Sequence, residues 1–114
     1  TASLTRWNVE KKPQYKVIVS GRARQMIAYH VRFLAQKSPT AARKIKNDLM
    51  DAIRSLHQMP ERFPFLKADF IPPNKYHKMF VEKWYLILYQ VKNQTVYVDY
   101  SGGLQRAQID NYQD

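Results

Sequence analysis

The sequence predicts an α+β fold of order β-α-α-β-β-β, with a helical hairpin packed on a small, mainly antiparallel sheet. Two neighbouring stretches early in the chain repeat apolar residues at helical spacing, and three β-prone stretches follow one another near its end. A short β-branched stretch precedes the helices. Helices and strands that are segregated in this way are typical of α+β architecture, and 114 residues suffice for one domain with one core.

The first strand and the first helix are predicted at the start of this region. "YKVIV", at 15–19, is β-branched and alternates in polarity, so it indicates a short strand. Ser20 then offers a side-chain oxygen that can cap a helix. The apolar residues that follow at helical spacing are Ala23, Met26, Ile27, Val31 and Leu34. We expect this helix to end near Lys37.

The second helix begins within "SPTAA". Ser38 is the expected cap, and Pro39 occupies the first helical position, where its missing N–H costs nothing. The buried stripe of this helix consists of Ala42, Ile45, Leu49, Ile53 and Leu56. The helix should stop at Met59, because Pro60 disfavours helix in the residue before it. Since the link between the two helices is so short, they should form an antiparallel hairpin.

Three strands are predicted after an apolar loop at 60–75 that holds four of the six prolines. They span Tyr76–Glu82, Trp84–Val91 and Thr95–Ser101, and Lys92–Gln94 forms the turn between the last two. Helices that cover one face of such a sheet leave its other face free for a partner.

The packing of the hairpin on the sheet follows from strand alternation. Side chains alternate between the two faces of a strand, so the second helix should pack either on Ile87 and Tyr89 or on Leu86 and Leu88.

The ends of the chain and its composition limit the remaining possibilities. A single domain is expected over 1–114, with polar tails at 1–14 and at 102–114, the second starting where Gly102-Gly103 break the last strand.

The absence of cysteine excludes disulfides, Cys-based zinc sites and thiol nucleophiles, and it fits a cytoplasmic location. No apolar run approaches the roughly 18 residues of a membrane span. The three histidines lack metal-ligand spacing, so we expect neither metal nor cofactor.

The charge favours an acidic partner or a polyanion. Lys and Arg number 19 against 9 acidic residues, which gives a net charge of +10. The helical hairpin carries eight of the cations, namely Arg22, Arg24, Arg32, Lys37, Arg43, Lys44, Lys46 and Arg54. Only Asp48 and Asp51 oppose them there. The alternative is a solvated basic surface with no ligand.

No nucleotide-binding or serine-hydrolase motif is present, so an enzyme would have to work with basic side chains and tyrosine. That chemistry suits RNA, whose 2′-hydroxyl attacks the adjacent phosphate when a base, an acid and cations are in place. The candidate residues near the end of the sheet are His77, Lys78, Lys83, Tyr85, Arg106 and Tyr112.

Three segments together resemble the RelE/ParE superfamily of bacterial type II toxins. They read "YKVIVSGRARQMI", "SPTAARKIKNDLMDAIRSLHQMPERFP" and "KYHKMFVEKWYLILYQVKNQTVYVDY", and the resemblance extends from Tyr15 to Tyr100. It implies a growth-inhibiting toxin of a plasmid-stabilisation module, neutralised by a cognate antitoxin. It also implies the same order of helices and strands.

The resemblance leaves two targets open. The RelE-like branch cuts mRNA on the ribosome, and the ParE-like branch inhibits DNA gyrase. If the chain is an endoribonuclease, the resemblance implies catalytic roles for His77, Arg106 and Tyr112. Met79 and Leu86, however, stand where that branch keeps cations and cannot replace them.

We therefore expect ParE-like inhibition of gyrase, which the "SP-x-AA" helix start and the long helical hairpin also favour. The alternative is a ribosome-dependent mRNA endonuclease, and a third reading is a basic binding module without toxicity. Lys78, Lys83 and Tyr85 are expected to contact the target or nucleic acid. Together with His77, the lysines should line the face of the sheet opposite to the helices, or its rim.

Overall fold

The computed structural model describes residues 14–69, 71–83 and 85–103. Its helices and strands follow the order β1 (Lys16–Val19), α1 (Gly21–Ala35), α2 (Pro39–Arg54), β2 (His77–Val81), β3 (Tyr85–Lys92) and β4 (Thr95–Gly103), with two 3-10 turns at Ser55–His57 and Pro60–Arg62. The predicted α+β class and element order are therefore confirmed. Of the tails predicted at 1–14 and 102–114, residues 1–13 and 104–114 lie outside the described residues, and so does Trp84, the first residue of the predicted second strand.

Both helices start where the sequence predicts. The hydroxyl of Ser20 accepts a hydrogen bond from the Ala23 amide at 3.0 Å, and that of Ser38 accepts from the Ala41 amide at 3.2 Å. Each bond satisfies an amide that the first turn of a helix leaves without a partner. Pro39 is the first residue of α2, as expected.

The end of α2 differs from the prediction. The α-helix stops at Arg54, and the chain tightens into a 3-10 turn before Met59 takes a left-handed conformation with φ of 47°. Arg62 explains this early end, because its guanidinium donates to the Gln58 carbonyl at 2.6 Å and to the Ser55 hydroxyl at 2.9 Å. The bond to Gln58 satisfies one of the carbonyl groups that the end of a helix leaves without a partner.

The four strands form one sheet in the order β1-β4-β3-β2. β2, β3 and β4 pair antiparallel, whereas β1 pairs parallel with β4. The β3–β4 turn is shorter than predicted, because Lys92 belongs to β3 and only Asn93 and Gln94 connect the strands. Asn93 has a φ of 58°, a conformation that asparagine tolerates well.

The predicted break at Gly102-Gly103 is wrong, since β4 continues through both glycines and pairs with Leu86 and Tyr85. Gly102 has a packing role instead. A Cβ atom at this position would lie 2.5 Å from the Tyr100 hydroxyl, so the absence of a side chain lets the Tyr100 ring lie against the strand.

The core lies between the helical hairpin and one face of the sheet, which we call the inner face. Ile87 and Tyr89 are fully buried there in one cluster with Leu49, Ile53 and Leu56. Of the two alternatives for the packing of α2, the structure therefore selects Ile87 and Tyr89.

The opposite face of the sheet, the outer face, is less open than predicted. Lys78 and Leu86, which point away from the core on β2 and β3, are buried, whereas Ile18 and Tyr97 on β1 and β4 are each 37% exposed. The expectation of a wholly free face is wrong for the half of the sheet formed by β2 and β3.

Candidate partner-binding groove and the predicted site residues

The two helices and the end of β1 enclose a groove of about 440 Å³. Its floor is apolar and its rim is basic. The floor residues are Val19, Ile27, Ala28, Val31 and Met50, and the rim residues are Arg24, Arg32 and Lys46. We call this feature the hairpin groove.

Helical spacing explains how the sequence builds the groove. Arg24, Ala28 and Arg32 are four residues apart along α1, so they lie above one another on a single side of the helix. Lys46 and Met50 have the same spacing on the facing side of α2. Ala28 contributes only a methyl group, which leaves space between the helices for side chains of another molecule.

The rim of the groove is positive, and its cations form no ion pair with the residues that the structure describes. α1 contains no acidic residue at all. Among the described residues, the acids of α2 pair with other cations, Asp48 with Lys44 at 2.8 Å and Asp51 with Arg54 at 3.6 Å, and no rim cation forms an ion pair. An apolar floor with unpaired cations around it is complementary to an acidic amphipathic segment.

His77 lies in a different place from the one predicted. Its ring is 5% exposed and stacks between Phe65 and Tyr89, with ring centroids 4.2 Å and 5.1 Å away. Nδ1 donates a hydrogen bond to the Phe63 carbonyl oxygen at 2.7 Å. Its strand partner is Tyr89, a core residue. His77 therefore packs on the inner face at the start of β2, so of its two expected positions, the outer face or the rim of the sheet, the first is wrong.

A small polar cavity of about 200 Å³ adjoins the His77 ring. Besides His77 and Phe65, it is lined by Glu61, Asn74, Lys75, Val91 and Asn93. The lining of the cavity includes one cationic side chain, that of Lys75, and one carboxylate, that of Glu61. Because the carboxylate would offset the single cation, this lining is poorly suited to stabilising the extra negative charge of a phosphorane.

The other predicted site residues that the structure describes, Lys78, Lys83 and Tyr85, lie in three different environments. Lys78 is buried and points to the face opposite to His77, because neighbouring residues of a strand alternate. Lys83 is exposed in the β2–β3 turn, where its φ is 66°. Tyr85 is half-buried, its ring meets His30 edge-on at 5.4 Å, and burial raises the pKa of its hydroxyl. Arg106 and Tyr112 lie outside the described residues.

Met79 and Leu86 are both buried. The resemblance to the RelE-like branch implies cations at these two positions, and neither side chain is accessible to a nucleic acid in the folded protein. The structure thus adds burial to the chemical mismatch that the sequence already showed.

Two features escaped the sequence analysis. Of the groove floor, Ile27 and Val31 were assigned to the core stripe of the first helix, and Ala28 and Met50 were assigned to no stripe. The four-residue spacing of Arg24, Ala28 and Arg32 was the signal that could have identified the groove. The second feature is the pair Tyr29 and Phe33, whose four-residue spacing lies off the apolar stripe of α1 and marks an exposed aromatic surface.

Two further properties concern the part of the chain that the structure describes. No helix in it is both long and apolar enough to cross a bilayer. Within the same residues, His, Asp and Glu side chains do not come together in groups of three that could hold a metal ion.

The fold and the groove define a small basic α+β domain whose hairpin groove suits a protein partner. The family model described as "ParE toxin of type II toxin-antitoxin system, parDE" matches residues 17–99. The chain therefore belongs to the ParE toxin family, and the resemblance to RelE/ParE toxins is confirmed.

Among solved structures, the fold is similar to a chain of the "Chromosomal ParDE TA system from P. aeruginosa". The two chains are 13% identical with a TM-score of 0.65, over 81% of this chain and 98% of the other. No curated protein matches the chain.

Proposed function

We propose that this ParE-family toxin is held inactive by a cognate antitoxin that binds the hairpin groove, and that the target of the free toxin is DNA gyrase. The observation that carries the first part is the combination of an apolar groove floor with three rim cations that lack acidic partners among the described residues. The second part is supported by family membership and by the burial of the positions that an RNase would need.

The groove specifies the chemistry of the antitoxin segment. Apolar side chains of the segment fill the floor along Ala28 and Val31, and its carboxylates meet the rim cations. Arg24 and Arg32 are eight residues apart on one helix, so their Cα atoms are separated by about 12 Å. A helical antitoxin segment would match this distance with two acidic residues about two turns apart.

Exposed charge pairs are weakened by salt, so affinity should fall as ionic strength rises. The protein is co-expressed and purified with the product of the gene next to its own, and the dissociation constant is measured at low and high salt. A complex that is indifferent to salt would instead indicate a mainly apolar interface.

A charge-reversal pair tests the location of the interface. Arg24→Glu combined with Arg32→Glu replaces two attractions by two repulsions, which we expect to weaken antitoxin binding by roughly tenfold or more. The matched control is Lys67→Glu with Lys92→Glu, because both lysines are exposed and lie outside the groove. Equal losses in both double variants would show that only net charge matters and would refute the groove as the site.

The target is tested by two assays run in parallel. The purified toxin is added to gyrase in a plasmid supercoiling reaction, and cellular mRNA is mapped by primer extension after toxin expression. We expect relaxed plasmid and intact message. Ribosome-dependent cuts that disappear in Arg106→Ala and Tyr112→Phe would establish the endonuclease alternative instead. The third reading, a basic module without toxicity, conflicts with membership of a toxin family.

A further inference from the structure

α1 presents a second surface that faces away from the core. Tyr29 and Phe33 are 60% and 49% exposed, and their rings stack with centroids 6.5 Å apart and planes 19° from parallel. The Lys37 ammonium lies 5.0 Å from the centroid of the Phe33 ring. Arg22 lies on the same side of the helix, two turns before Tyr29. We call these four residues the aromatic face.

Ring contacts through His30 to Tyr85 support the Tyr29 side chain. The Tyr29 ring meets His30 edge-on at 5.7 Å, and His30 in turn contacts Tyr85 at 5.4 Å. Burial lowers the pKa of His30, so the imidazole ring that contacts Tyr29 is uncharged at physiological pH. Because neighbouring rings and Lys37 restrict both aromatic side chains, a partner would spend little conformational entropy in ordering them.

The aromatic face is separate from the hairpin groove. At 3.6 residues per turn each residue advances by about 100°, which places Tyr29 and Phe33 roughly 140–180° around α1 from Arg24, whereas the rim residue Arg32 lies only about 60° from Tyr29. Neither aromatic residue lines the groove. A segment that fills the groove floor therefore leaves both rings uncovered, and the two surfaces approach each other only at Arg32.

The geometry points to the aromatic face as the surface by which the toxin docks on its target, and to an acidic protein surface with an apolar centre as the partner. This inference rests on the proposed function, because it names the contact surface for the target. Two adjacent aromatic rings flanked by cations match the apolar core and polar rim of a protein interface. The cations of this face are Arg22 and Lys37, and α1 has no acidic residue, so we expect the complementary surface to be acidic.

A nucleic-acid backbone fits this surface less well. Phosphate binding depends on a row of cations along the backbone, whereas the centre of the aromatic face, from Tyr29 to Phe33, is apolar over about one helical turn. Arg22 and Lys37 stand at its two ends, fifteen residues or about 22 Å apart.

The test uses the full chain with Tyr29→Ser and Phe33→Ser combined. Both side chains are exposed, so the fold should tolerate the change. The matched control is Ile18→Ser with Tyr97→Ser, a cross-strand pair that is also exposed but lies on the outer face of the sheet. Three properties are measured for each: growth arrest on expression, binding to purified gyrase, and affinity for the antitoxin.

We expect the aromatic-face variant to lose growth arrest and to bind gyrase at least tenfold more weakly, with antitoxin affinity unchanged within about twofold, since truncated aromatic anchors cost much of the affinity of an interface. The control should behave like the wild type. Arrest and gyrase binding that survive in the variant would overturn the inference while leaving gyrase as the target.

The remaining outcomes are also decisive. If antitoxin affinity falls while gyrase binding stays unchanged, the face belongs to the antitoxin interface alone and the inference is wrong. If the wild type does not bind gyrase, the proposed target fails, and growth arrest alone decides whether the aromatic face carries toxicity. Binding to duplex and single-stranded oligonucleotides is also measured by gel shift. Oligonucleotide binding that requires Tyr29 and Phe33 would show that the aromatic face binds a nucleic acid and would refute a protein partner.

Discussion

Truncation of Leu49 tests the packing that positions both surfaces of the helical hairpin. Leu49 is fully buried between α2 and the inner face of the sheet, together with Ile87 and Tyr89. Leu49→Ala removes three carbon atoms, worth about 2.4 kcal/mol in transfer free energy at about 0.8 kcal/mol each. The cavity left behind adds to this cost, so we expect the free energy of unfolding to fall by about 3–5 kcal/mol.

That loss is a large share of the stability of a domain of this size, which is about 5–15 kcal/mol. The midpoint of thermal unfolding should therefore fall by on the order of 15 °C. Circular dichroism of the purified toxin during urea and thermal unfolding measures both quantities. Met59→Ala is the control, because Met59 is also apolar but 72% exposed, and its effect should stay within about 0.5 kcal/mol. If Leu49→Ala behaved like this control, α2 could not pack on β3 as described.

Two further predictions concern Tyr89 and His30. Tyr89→Phe leaves no cavity but removes the donor to the Pro60 carbonyl, which now lies 2.5 Å from the tyrosine hydroxyl, so urea unfolding should show a loss of about 1–3 kcal/mol. For His30, burial lowers the pKa below 6.5 in the folded state. The unfolded state therefore binds more protons once the pH falls below about 6.5, and stability should decrease on acidification through that value. His30→Asn should reduce this part of the pH dependence, and an unchanged profile would contradict the assignment.

The sequence predicts the local features well because they depend on a few neighbouring residues. Ser20 and Ser38 cap their helices as expected, since a hydroxyl before an apolar repeat satisfies the amides of the first turn. Because side chains alternate along β3, either Ile87 and Tyr89 or Leu86 and Leu88 had to face the helices. The structure shows that Ile87 and Tyr89 do so.

Features that depend on distant segments were not predictable in the same way. The parallel pairing of β1 with β4 joins residues about 80 positions apart, and hydrophobic periodicity carries no information on which strands are neighbours. The position of His77 was not predicted because it depends on two loop residues that are distant in sequence. The Phe63 carbonyl accepts a hydrogen bond from its imidazole, and the Phe65 ring stacks on it. Gly102 was misread because a glycine in a strand can permit a close approach as well as a break, and only the position of Tyr100 shows which.

The two surfaces of α1 bear on how an antitoxin could neutralise this toxin. The hairpin groove and the aromatic face lie on nearly opposite sides of one helix, so a segment that fills only the groove leaves Tyr29 and Phe33 exposed. If the groove binds the antitoxin and the aromatic face binds the target, neutralisation cannot result from the groove contact alone. The antitoxin must either extend around α1 to reach the aromatic rings or carry enough bulk to keep the target away from them. Parallel measurement of antitoxin affinity and gyrase binding separates these cases, because only an antitoxin that extends onto the rings loses affinity in the aromatic-face variant.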